Sequence, residues 1–189
     1  MIVIAVLSAV VLLLYLLSYI SLRKKSQAVE ETLDLFRTPD VLSEDRLNMV
    51  NLMAYFKFQD EIPQIINGIR NFINHEYCLL RQYPPPVDVY PFTFAVRQQE
   101  SGPEGLEFGI MHPEAKNTDL QTQLEWFLYT LMKDSIRWHT GKLWNNWRKE
   151  DFSDFIAYFA RKYAPPEASD LNKVWEPNVR KYYVMFRKE

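Results

Sequence analysis

The sequence predicts an α+β fold: an N-terminal transmembrane helix and stalk, a helical section, then a small antiparallel sheet in the order β-β-α-α-β packed with helices. Three observations predict it. Residues 2–22 carry no charged side chain and stop at Arg23, Lys24 and Lys25. Apolar residues from Ile62 to Leu80 recur at helical spacing. Two later segments, "FTFAVRQ" and "LEFGIMH", alternate with period two on either side of a turn-rich "QESGPEG", which is the pattern of a hairpin.

The first segment reads as a retained anchor. At about 1.5 Å per residue, residues 2–22 span roughly 30 Å, the thickness of a bilayer's hydrocarbon core. A secretory signal needs a basic start, a shorter apolar run and small residues at the cleavage point. Nothing basic precedes Ile2, and "SYISLRKK" offers bulky Tyr19, Ile20 and Leu22. Basic residues resist translocation, so Arg23, Lys24 and Lys25 predict a single-pass membrane protein with a cytoplasmic C-terminal body. Beside anionic headgroups each is worth about 1 kcal/mol, which makes the lipid bilayer the first expected partner.

The anchor occupies residues 1–22 and a basic flank with a helical stalk 23–40, leaving 41–189 as one soluble α+β domain with a Pro-rich joint at 84–91. The stalk rests on Val29, Leu33 and Phe36 in "SQAVEETLDLFR" and ends at Pro39. A helix is predicted from Ser43 to Phe58, with Ser43 as cap and Glu44 and Asp45 in its first turn. The next is the clearest in the chain. Ile62, Ile65, Ile66, Ile69, Phe72, Ile73, Tyr77 and Leu80 form its apolar stripe, opposite Gln64, Asn67, Asn71, Asn74 and Cys78. Pro63 suits its first turn. Pro84, Pro85, Pro86 and Pro91 then force extended backbone.

The hairpin places Phe92, Phe94 and Val96 on one strand face and Leu106, Phe108 and Ile110 on its partner. Thr118 and Gln121 form a capping box before a long helix with Leu120, Leu124, Phe127, Leu128, Leu131 and Trp138 on its stripe. A further helix is predicted over Asp151 to Tyr163, with Phe152, Phe155, Ile156 and Phe159 inward. The closing "VRKYYVMFRK" alternates Tyr182, Val184 and Phe186 against Lys181, Tyr183 and Met185, the pattern of a third strand. Such a sheet leaves edges that are covered or paired with a partner.

Composition narrows the chemistry. Net charge is −2 and pI about 6.0, so nucleic acid is not an expected partner. One cysteine, Cys78, excludes an intramolecular disulfide framework. With His75 one turn before it and Arg81 after it, Cys78 has the setting of an activated thiol, but a lone helical cysteine needs no such role. His75, His112 and His139 lack the spacing of metal ligands, and neither metal nor cofactor is expected. Glu150, Asp151 and Asp154 fit a helix start. Glu114 and Lys116 in "PEAK", with Asp88, match the carboxylate–lysine set of metal-dependent nucleases, although Pro113 ends the strand that should hold them.

The richest segment is "IRWHTGKLWNNWRKEDF", where Trp138, Trp144 and Trp147 interleave with Arg137, Lys142, Arg148 and Lys149. Trp and Arg are favoured anchor types at protein interfaces, so Trp138, Trp144, Trp147 and Arg148 are the expected partner-binding residues. The same mixture suits core packing, lipid or stacked bases. The expected function is therefore a scaffold or docking subunit of a larger membrane-associated assembly, with other protein subunits as partners. The alternatives are a membrane-tethered hydrolase or nuclease, and a lipid- or nucleic-acid-binding module using residues 137–149.

Overall fold

A computed structural model describes residues 40–189. Among these residues the chain is helices and loops without a sheet, and its one β contact is an antiparallel bridge between Leu47 and Arg187. The helices are α1 (Met49–Tyr55), α2 (Ile62–His75), α3 (Tyr77–Gln82), α4 (Val89–Glu100), α5 (Leu120–Thr140), α6 (Phe155–Tyr163), α7 (Asp170–Lys173) and α8 (Trp175–Phe186). The expected α+β class is thus corrected to an all-helical one over this range.

The first expected strand is α4. Every residue from Val89 to Arg97 is buried, and a helix enclosed on all sides carries an apolar run that matches a strand as readily as a helix. Pro91 sits in its first turn, where a missing N–H breaks no helical bond. The expected last strand is α8. Trp175, Val179 and Phe186 are buried and Tyr182 half-buried, a stripe at helical spacing that outweighs a short alternation. Val184, expected to point inward beside Phe186, is 72% exposed.

The second expected strand is part of a loop, 101–119, seated by two buried polar side chains. Gly105 and Gly109 turn it at φ +80° and +66°, a region open to glycine. Gln123 of α5 accepts from Ile110 N at 3.2 Å and donates through Nε2 to the carbonyls of Gly105, Ile110 and Ala115 at 3.0, 3.1 and 2.8 Å. Arg97 of α4 donates to the Glu107 carbonyl at 3.2 Å. The same guanidinium pairs with both Glu61 oxygens and lies 3.6 Å from the Phe58 ring centre.

Helix α4 forms the centre and packs most extensively on α8. Phe92 meets Phe159 of α6 at 5.5 Å and Tyr183 of α8 at 6.0 Å, and Phe94 meets Phe56 at 5.1 Å. On the far side α2 crosses α5 at Gly68, where an added Cβ would lie 2.5 Å from Leu124. The polar face of α2 is solvent-exposed as expected, and Pro63 opens it.

Boundaries move for local reasons. The helix expected over Ser43 to Phe58 breaks before α1 because Asn48 caps it, accepting from Asn51 N at 3.1 Å, while Asn48 N donates to the Phe186 carbonyl. Asp119, not Thr118, caps α5 through Thr122 N, and Asp154 caps α6 through Ala157 N, so α6 begins at Phe155.

The anchor at 2–22, with Arg23, Lys24 and Lys25, lies outside the described residues, as does the stalk up to residue 39. Among the described residues no helix is long and apolar enough to cross a membrane. Even α5, with 21 residues, carries Glu125, Lys133, Asp134 and Arg137. This finding stands against the single-pass membrane placement, which is set aside.

Candidate functional site

The Trp segment begins where α5 ends at Gly141 in the left-handed region. Leu143 is buried and pins the chain to the core. Asn145 and Asn146 then take φ +53° and +58°, positions that asparagine tolerates better than most residues. This double reversal sets Trp144 and Trp147 edge to face at 5.5 Å. Trp147 packs on Phe152 at 5.4 Å and Tyr158 at 6.4 Å, and Trp138 packs on Phe155 and Tyr158 at 5.8 and 5.7 Å. Lys149 Nζ lies 5.1 Å over the Trp138 ring. Arg148 reaches Glu150 and Asp151 on the surface.

The structure therefore brings Trp138 and Trp147 together on Tyr158 as half-buried supports. Trp144 is the ring that faces outward, 42% exposed. Below them Asp134 is fully buried and accepts from Lys162 Nζ at 2.6 Å, Arg137 Nη1 at 2.9 Å and the Tyr158 hydroxyl at 3.2 Å. Burial and then the Asp134 charge push the Tyr158 phenol up to about 12, so it stays protonated and donates. The aromatic loop rests on a polar lock between α5 and α6.

Helix α1 presents a second surface that sequence reasoning missed. Its sequence "MVNLMAY" buries only Leu52, with Phe56 following at the C-cap. Met49, Val50, Met53 and Tyr55 are 42, 79, 52 and 61% exposed. The helix is fixed from beneath, since Asn51 Nδ2 donates to the Met185 carbonyl at 2.8 Å and Phe56 packs on Phe186 at 6.0 Å. The concavity at its start measures about 580 Å³ and is lined by Glu44, Asp45, Leu47, Met49, Val50 and Lys188. The available signal was apolar character all round, which marks a helix meant to be covered.

The nuclease set does not converge. Asp88 starts α4, where its buried carboxylate accepts from Arg187 and lies 3.4 Å from Arg46 Nε. Glu114 and Lys116 are exposed on the 101–119 loop, where Ala115 between them is held by Gln123 of α5. The cleft beside Asp88, about 410 Å³, is lined by Asp154, Arg180, Tyr183 and Arg187 and by neither of them. Arg180 holds both Asp154 oxygens at 2.7 Å, which keeps the Asp154 carboxyl below its ordinary range.

The remaining candidates occupy separate places. Cys78 is an exposed thiol on α3, and His75, at the end of α2, lies 3.7 Å from Glu76. His112 stacks on Trp126 at 4.2 Å, while His139 Nε2 lies 2.7 Å from the Pro84 carbonyl. Among the described residues no group of three His, Cys, Asp or Glu side chains is placed to hold a metal ion. No protein-family model, curated protein or solved structure matches this chain. The functional reading therefore rests on geometry.

Proposed function

We propose that this chain is a docking subunit of a larger protein assembly, engaging a protein partner through the apolar face of α1, with the Trp144 loop as a second contact. The observation that carries the reading is α1 itself. A seven-residue helix with Met49, Val50 and Met53 exposed side by side on one face is a conspicuous apolar patch, and such patches mark interaction sites. Methionine adapts its shape to a partner's surface. Trp144 adds a residue type favoured at interface centres, held in place by Trp147 and the Asp134 lock. A hydrolase or nuclease reading gains no comparable support from the described residues.

The test uses the full chain purified gently, with mass read by light scattering and companion chains identified by mass spectrometry. Wild type is expected in a particle of defined stoichiometry. Val50→Lys with Met53→Lys, both on exposed positions, is expected to release the companions and leave the urea unfolding midpoint unchanged, and Trp144→Ala is expected to weaken their retention. A monomer without companions, or an assembly indifferent to the double substitution, refutes the reading.

A further inference from the structure

Beyond protein docking, a different face of the molecule has an unusual side-chain pattern. Along α2 four exposed side chains, Gln64, Asn67, Asn71 and Asn74, are carboxamides, spaced three, four and three residues apart so that they follow one another along the helix; the exposed Arg70 beside them bonds Asn67 and is paired with Glu44 at 2.7 Å. Asparagine is a poorer helix former than Lys, Glu or Gln, and a solvated helix face ordinarily uses those instead. A local preference broken repeatedly at exposed positions points to function rather than folding.

The stripe borders a groove. Where α2 leaves its close crossing with α5 at Gly68, a concavity of about 430 Å³ opens, lined by Asn71, Phe72 and His75 of α2 and by Gln121, Glu125 and Tyr129 of α5. The size lies within the usual range for ligand sites. Gln121 lies against Gly68 and its Nε2 donates to Glu125 at 2.9 Å, so one oxygen of the exposed Glu125 carboxylate is held in place at the mouth of the groove. Among the described residues neither Asn71 nor Asn74 makes a side-chain hydrogen bond. Phe72 and Tyr129, edge to face at 4.9 Å, give the groove an apolar component.

We infer that this groove binds a chain of neutral sugar residues. Charge selects the ligand class. The lining contains no Lys or Arg and includes Glu125, with Glu76 bonded to the Tyr129 hydroxyl behind it, so phosphate, sulfate and carboxylate groups are repelled. Carboxamides donate and accept at one site, which matches hydroxyl groups that do the same, and the aromatic component suits the C–H faces of a pyranose ring. Spacing separates sugar from peptide. Successive amides lie about 4.5–6 Å apart along the helix axis, roughly 5 Å on average, close to the length of one pyranose unit, whereas same-face groups of an extended peptide repeat every ~6.8 Å and lose register.

The experiment is titration calorimetry of the full chain with the hexasaccharides of β-1,4-glucose, α-1,4-glucose, β-1,4-mannose and β-1,4-N-acetylglucosamine, and with heparin as the charged control. Saturable binding of at least one neutral hexamer is expected, with heparin silent. Asn71→Ala and Gln121→Ala are each expected to weaken binding about 3- to 10-fold, the loss of one or two hydrogen bonds, with the thermal midpoint equal to or above wild type because alanine favours the helix. Trp144→Ala should leave sugar binding unchanged, which separates this site from the docking surface. No heat with any of the four hexamers, equal affinity in the Asn71 and Gln121 variants, or preferential heparin binding overturns the inference.

Discussion

Replacing Gln123 by Leu tests whether one side chain seats the whole 101–119 loop. The two residues are similar in volume, so the perturbation is chiefly the loss of hydrogen bonds. Gln123 is fully buried and serves Phe108 N, Ile110 N and the carbonyls of Gly105, Ile110 and Ala115. Gly105, Phe108 and Ala115 are buried residues, whereas Ile110 is half-buried and can recover a partner from water. A buried polar group left unpaired costs about 1–3 kcal/mol. Counting the buried groups near the lower end gives a loss of roughly 3–5 kcal/mol, a large share of the ~5–15 kcal/mol that holds a domain folded. Because Phe108 stacks on Phe127 at 5.0 Å, a loosened loop also uncovers part of the core. Urea unfolding followed by tryptophan fluorescence reads the global effect, and tryptic cleavage at Lys116 reads the local one. Gln123→Glu, which removes the donor, should fare no better at neutral pH. A Leu variant within about 1 kcal/mol of wild type, with Lys116 no more cleavable, would refute the argument.

Two further perturbations probe buried charge. Glu100 is largely enclosed, with Trp175 Nε1 donating to it at 2.6 Å, and burial raises its carboxyl above the ordinary 4.5. A raised folded value favours the folded state fully below the unfolded one and loses that contribution as pH climbs through it. Glu100→Gln should therefore stabilise the protein near pH 7 and flatten the decline between wild-type midpoints measured from about pH 4.5 upward; parallel wild-type and variant curves would exclude it. Asp134→Ala strands Lys162 and Arg137 and is expected to cost about 3–5 kcal/mol, while Asp134→Ala with Lys162→Met recovers part of the loss. A urea double-mutant cycle showing no coupling between positions 134 and 162 would contradict the polar lock.

What could be read from the sequence was what depends on near neighbours. Helix α2 and its exposed amides, Pro63 in the first turn, and the apolar stripe of α5 follow from spacing alone, whereas the cap of α5 falls one residue later than expected, on Asp119. The strands failed because period two over five to seven residues cannot be told from a helix buried all round, and Val89 to Arg97 is such a helix. The end of the chain failed for a related reason: the stripe Trp175, Val179, Tyr182, Phe186 is visible only when the window extends back past Pro177. The partners of Arg97 and Gln123 were out of reach, since each bonds to backbone brought close by the fold. In the Trp segment the residue types were legible, but which ring faces outward was not, because that depends on Asn145 and Asn146 reversing the chain.

The contrast between α1 and α4 explains why docking is the better reading of this fold. Both helices are apolar nearly all round, so a rule that buries such helices treats them alike. The structure encloses α4 with α2 and α8, whereas α1 touches mainly α8, leaving Met49, Val50 and Met53 about half to four-fifths exposed. Covering those three would contribute roughly 3–5 kcal/mol at the usual value for buried apolar area. That corresponds to a dissociation constant near the millimolar range, before any cost of immobilising the partner. Helix α1 is therefore too small to hold a lasting complex by itself. A stable assembly needs a second contact, and Trp144 is the exposed aromatic best braced to supply one. Two weak contacts to one partner reinforce each other when both can be engaged at once. Loss of either the α1 face or Trp144 should then return the complex toward millimolar affinity, a much larger effect than either contact would show in isolation.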